Sequence, residues 1–183
     1  MINDRHQKGP QVKRQAKGFS MVELLVAVLI MGIGVLGVTG LQMVSLQNNR
    51  DALLRTEALQ MAYDILDRIR VNPGAGVPGA IYDGVAFDDT PSNPPDCFAN
   101  NCSSDQIADF DVALWQCALG GNNEDDVCVG LRDSAFLPAI TEQPGLPEGV
   151  GQSAVDGAGN ISVSVRWRGF GDNLQTVNIA SRG

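Results

Sequence analysis

Apolar residues recur along this 183-residue chain in three rhythms, and each predicts a different element. From Leu24 to Asn49, a run of 26 residues (49 − 24 + 1), no side chain is charged, and most positions up to Val44 are apolar. That run exceeds the ~20 residues a helix needs to cross a bilayer. From Arg50 onward the pattern becomes one-sided. Leu54, Ala58, Met61, Ala62, Ile65, Leu66 and Ile69 follow helical spacing and form a single stripe that asks for a core. Asp51/Arg55 and Asp64/Arg68 stand four residues apart on the other faces, expected ion pairs worth a few tenths of a kcal/mol each. Asn72-Pro73-Gly74 then stops the helix. One continuous helix is expected from about residue 20 to 71.

Residues 73–102 are rich in Gly, Pro, Asp and Asn and read as a long loop. Ser103-Ser104-Asp105-Gln106 has the spacing of a capping box, with Ser103 at the N-cap and Gln106 at N3. A second helix should follow, with Ile107, Phe110, Leu114 and Ala118 on its apolar face, ending at Gly120-Gly121. Trp115 is expected to pack in the folded body. The third rhythm has period two. Ile161 to Arg168 alternates apolar and polar residues without a break, as a half-buried strand does. Turn-forming residues flank it at 156–160 and 169–173, so roughly 149–155 and 174–181 are its expected antiparallel neighbours. The expected fold class is α+β: a long N-terminal helix laid on a small antiparallel sheet, with a loop-rich head.

Charge divides the chain at residue 18. Residues 1–18 carry five basic side chains and one acidic, a net of 5 − 1 = +4. The remainder keeps 13 − 5 = 8 basic and 21 − 1 = 20 acidic groups, a net of −12. Such a body repels phosphate backbones, so direct nucleic-acid binding is not expected. The one histidine is His6, and no lysine follows Lys17. A histidine-based triad, a Cys–His pair or a histidine-ligated zinc site therefore cannot be built after residue 18. No enzymatic activity and no cofactor are expected.

Basic residues ahead of the apolar run place the N-terminus in the cytoplasm and export the rest. The run is too long for a cleavable secretory signal, whose apolar core spans ~7–15 residues. A plain signal anchor and a signal cut before the apolar run both remain, and the junction separates them. It reads Lys17-Gly18-Phe19-Ser20-Met21-Val22-Glu23-Leu24-Leu25. This resembles the processing site of type IV prepilins, with Gly at the cut, Phe as the new first residue and Glu as the fifth. Ser-Met-Val stands where Thr-Leu-Ile is commoner, and the leader is long for that family.

The resemblance implies cleavage between Gly18 and Phe19 by a prepilin peptidase, N-methylation of Phe19, and an assembly role for Glu23. It divides the chain into a cleaved leader (1–18), a membrane and filament-core helix half (19–49) and a periplasmic head (50–183). Within the head lie the amphipathic helix half (50–71), a loop and short helix (72–145) and the sheet (146–183). Scattered later residues resemble the PilV group of minor pilins. These are a cysteine pair before a short helix, Asp111-x-x-x-Trp115, Leu146-Pro147-x-Gly149 and Val165-x-Trp167-Arg168. The partners so implied are other minor and major pilins, the inner membrane and a tip adhesin, and the final location is the pilus surface. A minor pseudopilin of type II secretion shares the stalk features. A membrane-anchored periplasmic binding module that never polymerises is the rival of another class. Residues 117–144 read as an insertion beyond the PilV pattern.

Cys97, Cys102, Cys117 and Cys128 all fall in the exported part, where an even count reads as two disulfides with three possible connectivities. Nearest-neighbour pairing, Cys97–Cys102 and Cys117–Cys128, is the expectation for a loop-rich head. These spacings do not match a compact four-cysteine zinc site. The acidic clusters Asp88-Asp89 and Glu124-Asp125-Asp126 lack the alternating pattern of a calcium loop and read as solvated loops, so no metal is expected.

Overall fold

The structure, a computed structural model, describes residues 18–182. Of the basic leader expected over residues 1–18, all but Gly18 lies outside the described residues. Helix α1 runs Met21–Val71, as the two successive apolar rhythms predict. By contacts the chain divides after Ser45 into two compact units, and α1 contributes to both. In the first unit, every described side chain up to Ser45 is exposed. Gly32, Gly34, Gly37 and Gly40 leave this helix unbroken.

The second unit is α+β. Helix α2 (Ser104–Leu119) and helix α3 (Asp126–Asp133) precede strands β1 (Val150–Val155), β2 (Asn160–Arg168) and β3 (Leu174–Arg182), with a 3-10 turn at Phe170–Asp172 between the last two. The strands form one antiparallel sheet in the order β1-β2-β3. Val150 faces Arg166 at one end of the β1–β2 ladder, and Asn160 faces Arg182 at one end of the β2–β3 ladder. Burial along β2 alternates without exception, Ile161, Val163, Val165 and Trp167 pointing inward. The α1 stripe meets them: Ala58, Met61, Ala62, Ile65, Leu66 and Ile69 are buried in the same core cluster, with Leu54 partly covered beside them. Helix and sheet thus hide each other's apolar face, the stable two-layer solution.

Helix α2 begins at the capping box the sequence predicts. Gln106 N donates to Ser103 Oγ at 3.3 Å, and Ser103 N donates to Gln106 Oε1 at 2.9 Å. It ends where Gly120 takes φ 105°, a left-handed conformation few other residues adopt cheaply. Its burial departs from the expected single face. Ile107 is exposed and Ala118 only partly covered, whereas Ala108, Trp115 and Leu119 join the main core. Phe110, Ala113, Leu114 and Cys117 enter a second core with Cys128 and Leu131 of α3. The helix is therefore covered on two sides, because the segment after it folds back as α3. That helix lies in the stretch read as an insertion, and Asp125, read as part of a solvated acidic loop, is its N-cap: Val127 N donates to Asp125 Oδ1 at 2.9 Å.

One expected ion pair is absent. Asp64 pairs with Arg68 at 3.0 Å, but Asp51 does not reach Arg55. The Asp51 carboxylate instead accepts a 3.4 Å hydrogen bond from Phe170 N, at the β2–β3 turn. Helical spacing permits an i,i+4 pair without requiring one, and a tertiary partner competes here.

Candidate functional site

The junction residues stand at the start of α1. Gly18, Phe19 and Ser20 precede the helix, and Phe19 is 84% exposed. A Cβ built on Gly18 would meet nothing within 4 Å. Both residues flanking the 18–19 peptide bond are thus uncovered among the described residues. Ser20 is the N-cap: Leu24 N donates to Ser20 O at 3.2 Å, closing the first helical turn, and Glu23 N donates to Ser20 Oγ at 3.4 Å. Ser20-x-x-Glu23 therefore has capping-box spacing, a signal legible in the sequence beside the processing motif. Only one half of the box forms. The Glu23 carboxylate makes no hydrogen bond or ion pair among the described residues, although it lies in the first helical turn, where the helix dipole favours an anion. The arrangement leaves a carboxylate available to a cation from outside its own turn.

Beyond the junction the helix is long and apolar enough to cross a membrane, and none of its most apolar stretch is buried. Leu24, Leu25, Leu29, Leu36 and Leu41 are each more than 60% exposed. Uncovered apolar surface on this scale marks a segment meant for lipid or for partner helices.

The head contains a polar cluster that sequence reading missed. Asp111 on α2 accepts from Arg68 Nη1 of α1 at 2.8 Å and from the Tyr82 hydroxyl at 2.6 Å. Asn72 Nδ2 donates to Ser104 O at 2.8 Å, and the Ser104 hydroxyl donates to Asn72 Oδ1. Tyr82 is fully buried, and burial together with its bond to Asp111 pushes its hydroxyl pKa well above the usual tyrosine value. For Arg68, burial works against the charge, but the Asp111 hydrogen bond and the Asp64 and Asp111 charges outweigh it and raise the pKa. These groups tie α1, the 72–85 segment and α2 together. Every one has a partner, which suits a structural clamp and leaves no group poised for proton transfer.

Tyr82 also shows that the long loop is not a passive tether. Gly84 N donates to Ser153 O at 3.2 Å and Ser153 N to Val85 O at 3.0 Å, so the loop pairs with β1. Trp115 packs in the core, and its indole N–H donates to Met61 O at 3.0 Å. Gly151 is required beside it, since a Cβ there would stand 2.2 Å from Trp115 Cη2.

Cys97 bonds to Cys102 and Cys117 to Cys128. The first closes a surface loop before α2, and the second joins α2 to α3 inside the second core. Among the described residues, no group of three or more His, Cys, Asp or Glu side chains is placed to hold a metal ion.

Two family models match the chain. One, described as type IV pilin Tt1218 (Tt1218-like), matches residues 40–113, and the other, the prokaryotic N-terminal methylation motif, matches residues 13–39. No curated protein and no solved structure matches it. The two matches follow one another without a gap from residue 13 to residue 113, across the processing junction, the apolar helix, the amphipathic helix and the start of α2, and together they support a place for this chain in the type IV pilin superfamily.

Proposed function

We propose that this chain is a minor type IV pilin, a subunit that initiates or modifies a pilus-type filament and performs no chemistry of its own. The observation that carries this reading is the Gly18-Phe19 junction, exposed and followed by a capped, wholly uncovered apolar helix with one acidic residue, Glu23, in its first turn. Such a helix has two natural environments. Before assembly the inner membrane holds it, with the head in the periplasm. After assembly the apolar surfaces of neighbouring pilin helices replace lipid.

Cleavage before Phe19 gives the site its chemistry. It creates an α-amino cation at Phe19, and N-methylation of that amine keeps the charge. A cation at a helix N-terminus is unfavourable alone. Glu23 offsets it, and its unpartnered carboxylate is free to take the amine of a neighbouring subunit as α1 helices come together. In a water-poor helix bundle that pair selects axial register as well as adding energy.

The PilV-like residues favour a minor subunit acting with other minor pilins, and a tip adhesin is the further partner that resemblance implies. Deletion of the gene separates this from the pseudopilin reading: loss of twitching supports a pilus, and loss of enzyme secretion supports type II secretion. The primary test is the intact mass and N-terminal residue of the protein isolated from its native membrane. A chain starting at N-methylated Phe19 and retaining the apolar segment is expected. A chain starting at Met1 would mean a static anchor, and one starting near residue 41 an ordinary secreted protein.

A further inference from the structure

Charged side chains bracket the apolar segment of α1. Glu23 stands just before the uncharged run and Arg50 just after it, 50 − 23 = 27 residues later. At 1.5 Å per residue that is a rise of ~40 Å, close to the ~40–45 Å thickness of a bilayer with both headgroup layers. An ionised side chain is costly inside the hydrocarbon, so a membrane-spanning α1 carries these two at opposite headgroup layers. The level of Arg50 is therefore the level at which the exported part meets lipid.

One turn of the sheet comes to that level. Between β2 and β3 the chain turns at Phe170–Asp172, and Phe170 N donates to Asp51 Oδ1 at 3.4 Å. A cleft of about 610 Å³ opens here between Arg50 and Leu54 of α1 and Arg168, Phe170 and Asp172 of the turn. Two apolar side chains stay outside both cores. Phe170 is 54% exposed, and Leu174, paired with Arg168 in the ladder, is 62% exposed. The charges around them are unequally matched. Arg168 is held by Glu148 at 2.6 Å and lies 3.8 Å from Asp172, and Asp51 takes the Phe170 N–H. Arg50 has no ion-pair partner among the described residues. An unmatched arginine beside uncovered Phe and Leu suits the edge of a bilayer. Arginine binds phosphate there, and apolar side chains enter the boundary between headgroups and acyl chains.

We propose that the β2–β3 turn is a second membrane contact, in which Arg50 binds the phosphate of a phospholipid in the periplasmic leaflet while Phe170 and Leu174 enter the boundary below it. The exposed Asp172 carboxylate favours a zwitterionic lipid, whose ammonium it meets, over an anionic one. This deepens the reading that α1 spans the inner membrane before assembly, and rests on it. Tilt and rotation of a lone spanning helix are set by its interfacial anchors, so the contact selects which flank of the protein faces the lipid surface. Passage from membrane to filament breaks it.

The test places full-length Phe170→Trp in phosphatidylcholine nanodiscs brominated near the glycerol end of the acyl chain. Bromine quenches a tryptophan at that depth, and the wild type supplies the background from Trp115 and Trp167, which are 2% and 3% exposed. Emission from the new tryptophan is expected to fall about twofold against unbrominated discs, as for a side chain ~5–10 Å into the interface. Phe98→Trp, at an exposed aromatic position remote from the turn in sequence, should match the wild type. Adding Arg50→Glu to Phe170→Trp should remove most of the quenching, because it sets a carboxylate against phosphate. No quenching beyond the wild type, or equal quenching at positions 98 and 170, overturns the proposal. Quenching unchanged by Arg50→Glu overturns the role of Arg50. The intact mass of the same sample separates this inference from the reading beneath it. A chain that lacks the apolar segment overturns both, whereas one that retains it without quenching overturns only the contact.

Discussion

The two stretches of α1 either side of Ser45 share one backbone regularity and differ in where their apolar side chains find partners. Between Met21 and Ser45 the apolar residues go round the whole helix and all are exposed. Between Leu46 and Val71 a single stripe is covered, Ala58, Ala62, Ile65, Leu66 and Ile69 being 0–1% exposed, while Leu53, Tyr63 and Val71 stay outside it. The contrast extends to the polar groups. Glu23 has no partner among the described residues, while Arg68, on the same helix, is held by Asp64 and Asp111. The lesson concerns where stability is stored. The second stretch finds its partners within one chain, whereas the first keeps its apolar surface uncovered.

The sharpest test of that contrast pairs two truncations. Ile65→Ala opens a cavity in the head core and is expected to lower its stability by about 2–5 kcal/mol. Leu29→Ala, on the uncovered stretch, should shift it by less than ~0.5 kcal/mol. Denaturant unfolding in detergent, followed by the fluorescence of buried Trp115 and Trp167, reads both, and similar losses would erase the distinction.

Glu23→Ala probes the unpartnered carboxylate. Cleavage at Gly18 should continue, since the peptide bond is untouched, and head stability should not change. Incorporation into filaments should fall by about tenfold or more, the equivalent of losing a charged hydrogen bond of about 1.5–3 kcal/mol. Immunoblotting of sheared filaments against whole cells measures it, and unchanged incorporation would remove Glu23 from assembly.

Tyr82→Phe probes the partnered counterpart, with the smallest expected effect. At neutral pH it should cost about 1 kcal/mol, because the Asp111 carboxylate loses one of its donors. Its signature lies in alkali. The folded pKa of Tyr82 is raised, so the folded state holds its proton where the unfolded state releases it. Stability from this group is complete below the ordinary tyrosine value of about 10 and declines as pH rises above it. The wild type should therefore lose stability between about pH 10 and 11.5 faster than Tyr82→Phe, as measured by denaturation midpoints. Parallel curves would mean that Tyr82 does not titrate in this way.

Much of the architecture was legible before folding. Uninterrupted alternation from Ile161 to Arg168 marks a strand because side chains on a pleated backbone point to opposite faces by turns. The stripe from Leu54 to Ile69 marks a half-buried helix for the matching reason at period 3.6. Where partners came from afar, local pattern fell short. Helix α2 was read with one face because a single periodicity cannot show that a second core lies behind it. Helix α3 went unseen because its eight residues, Asp126 to Asp133, include a glycine and three charged side chains, and it packs through little beyond Cys128 and Leu131. Asp51 had two geometrically reasonable partners, and only the fold chose Phe170 over Arg55.

The sequence alone determined the apolar N-terminal segment, its processing motif, the amphipathic continuation of the helix and the order of the three strands. Each is encoded in neighbours close along the chain, where spacing and side-chain type suffice. Tertiary structure alone decided that α2 stands between two cores, that Asp111 gathers Arg68 and Tyr82, and that the 83–85 segment pairs with β1 at Ser153. Those outcomes depend on groups 29 to 71 positions apart being brought within hydrogen-bonding distance, which no local period records.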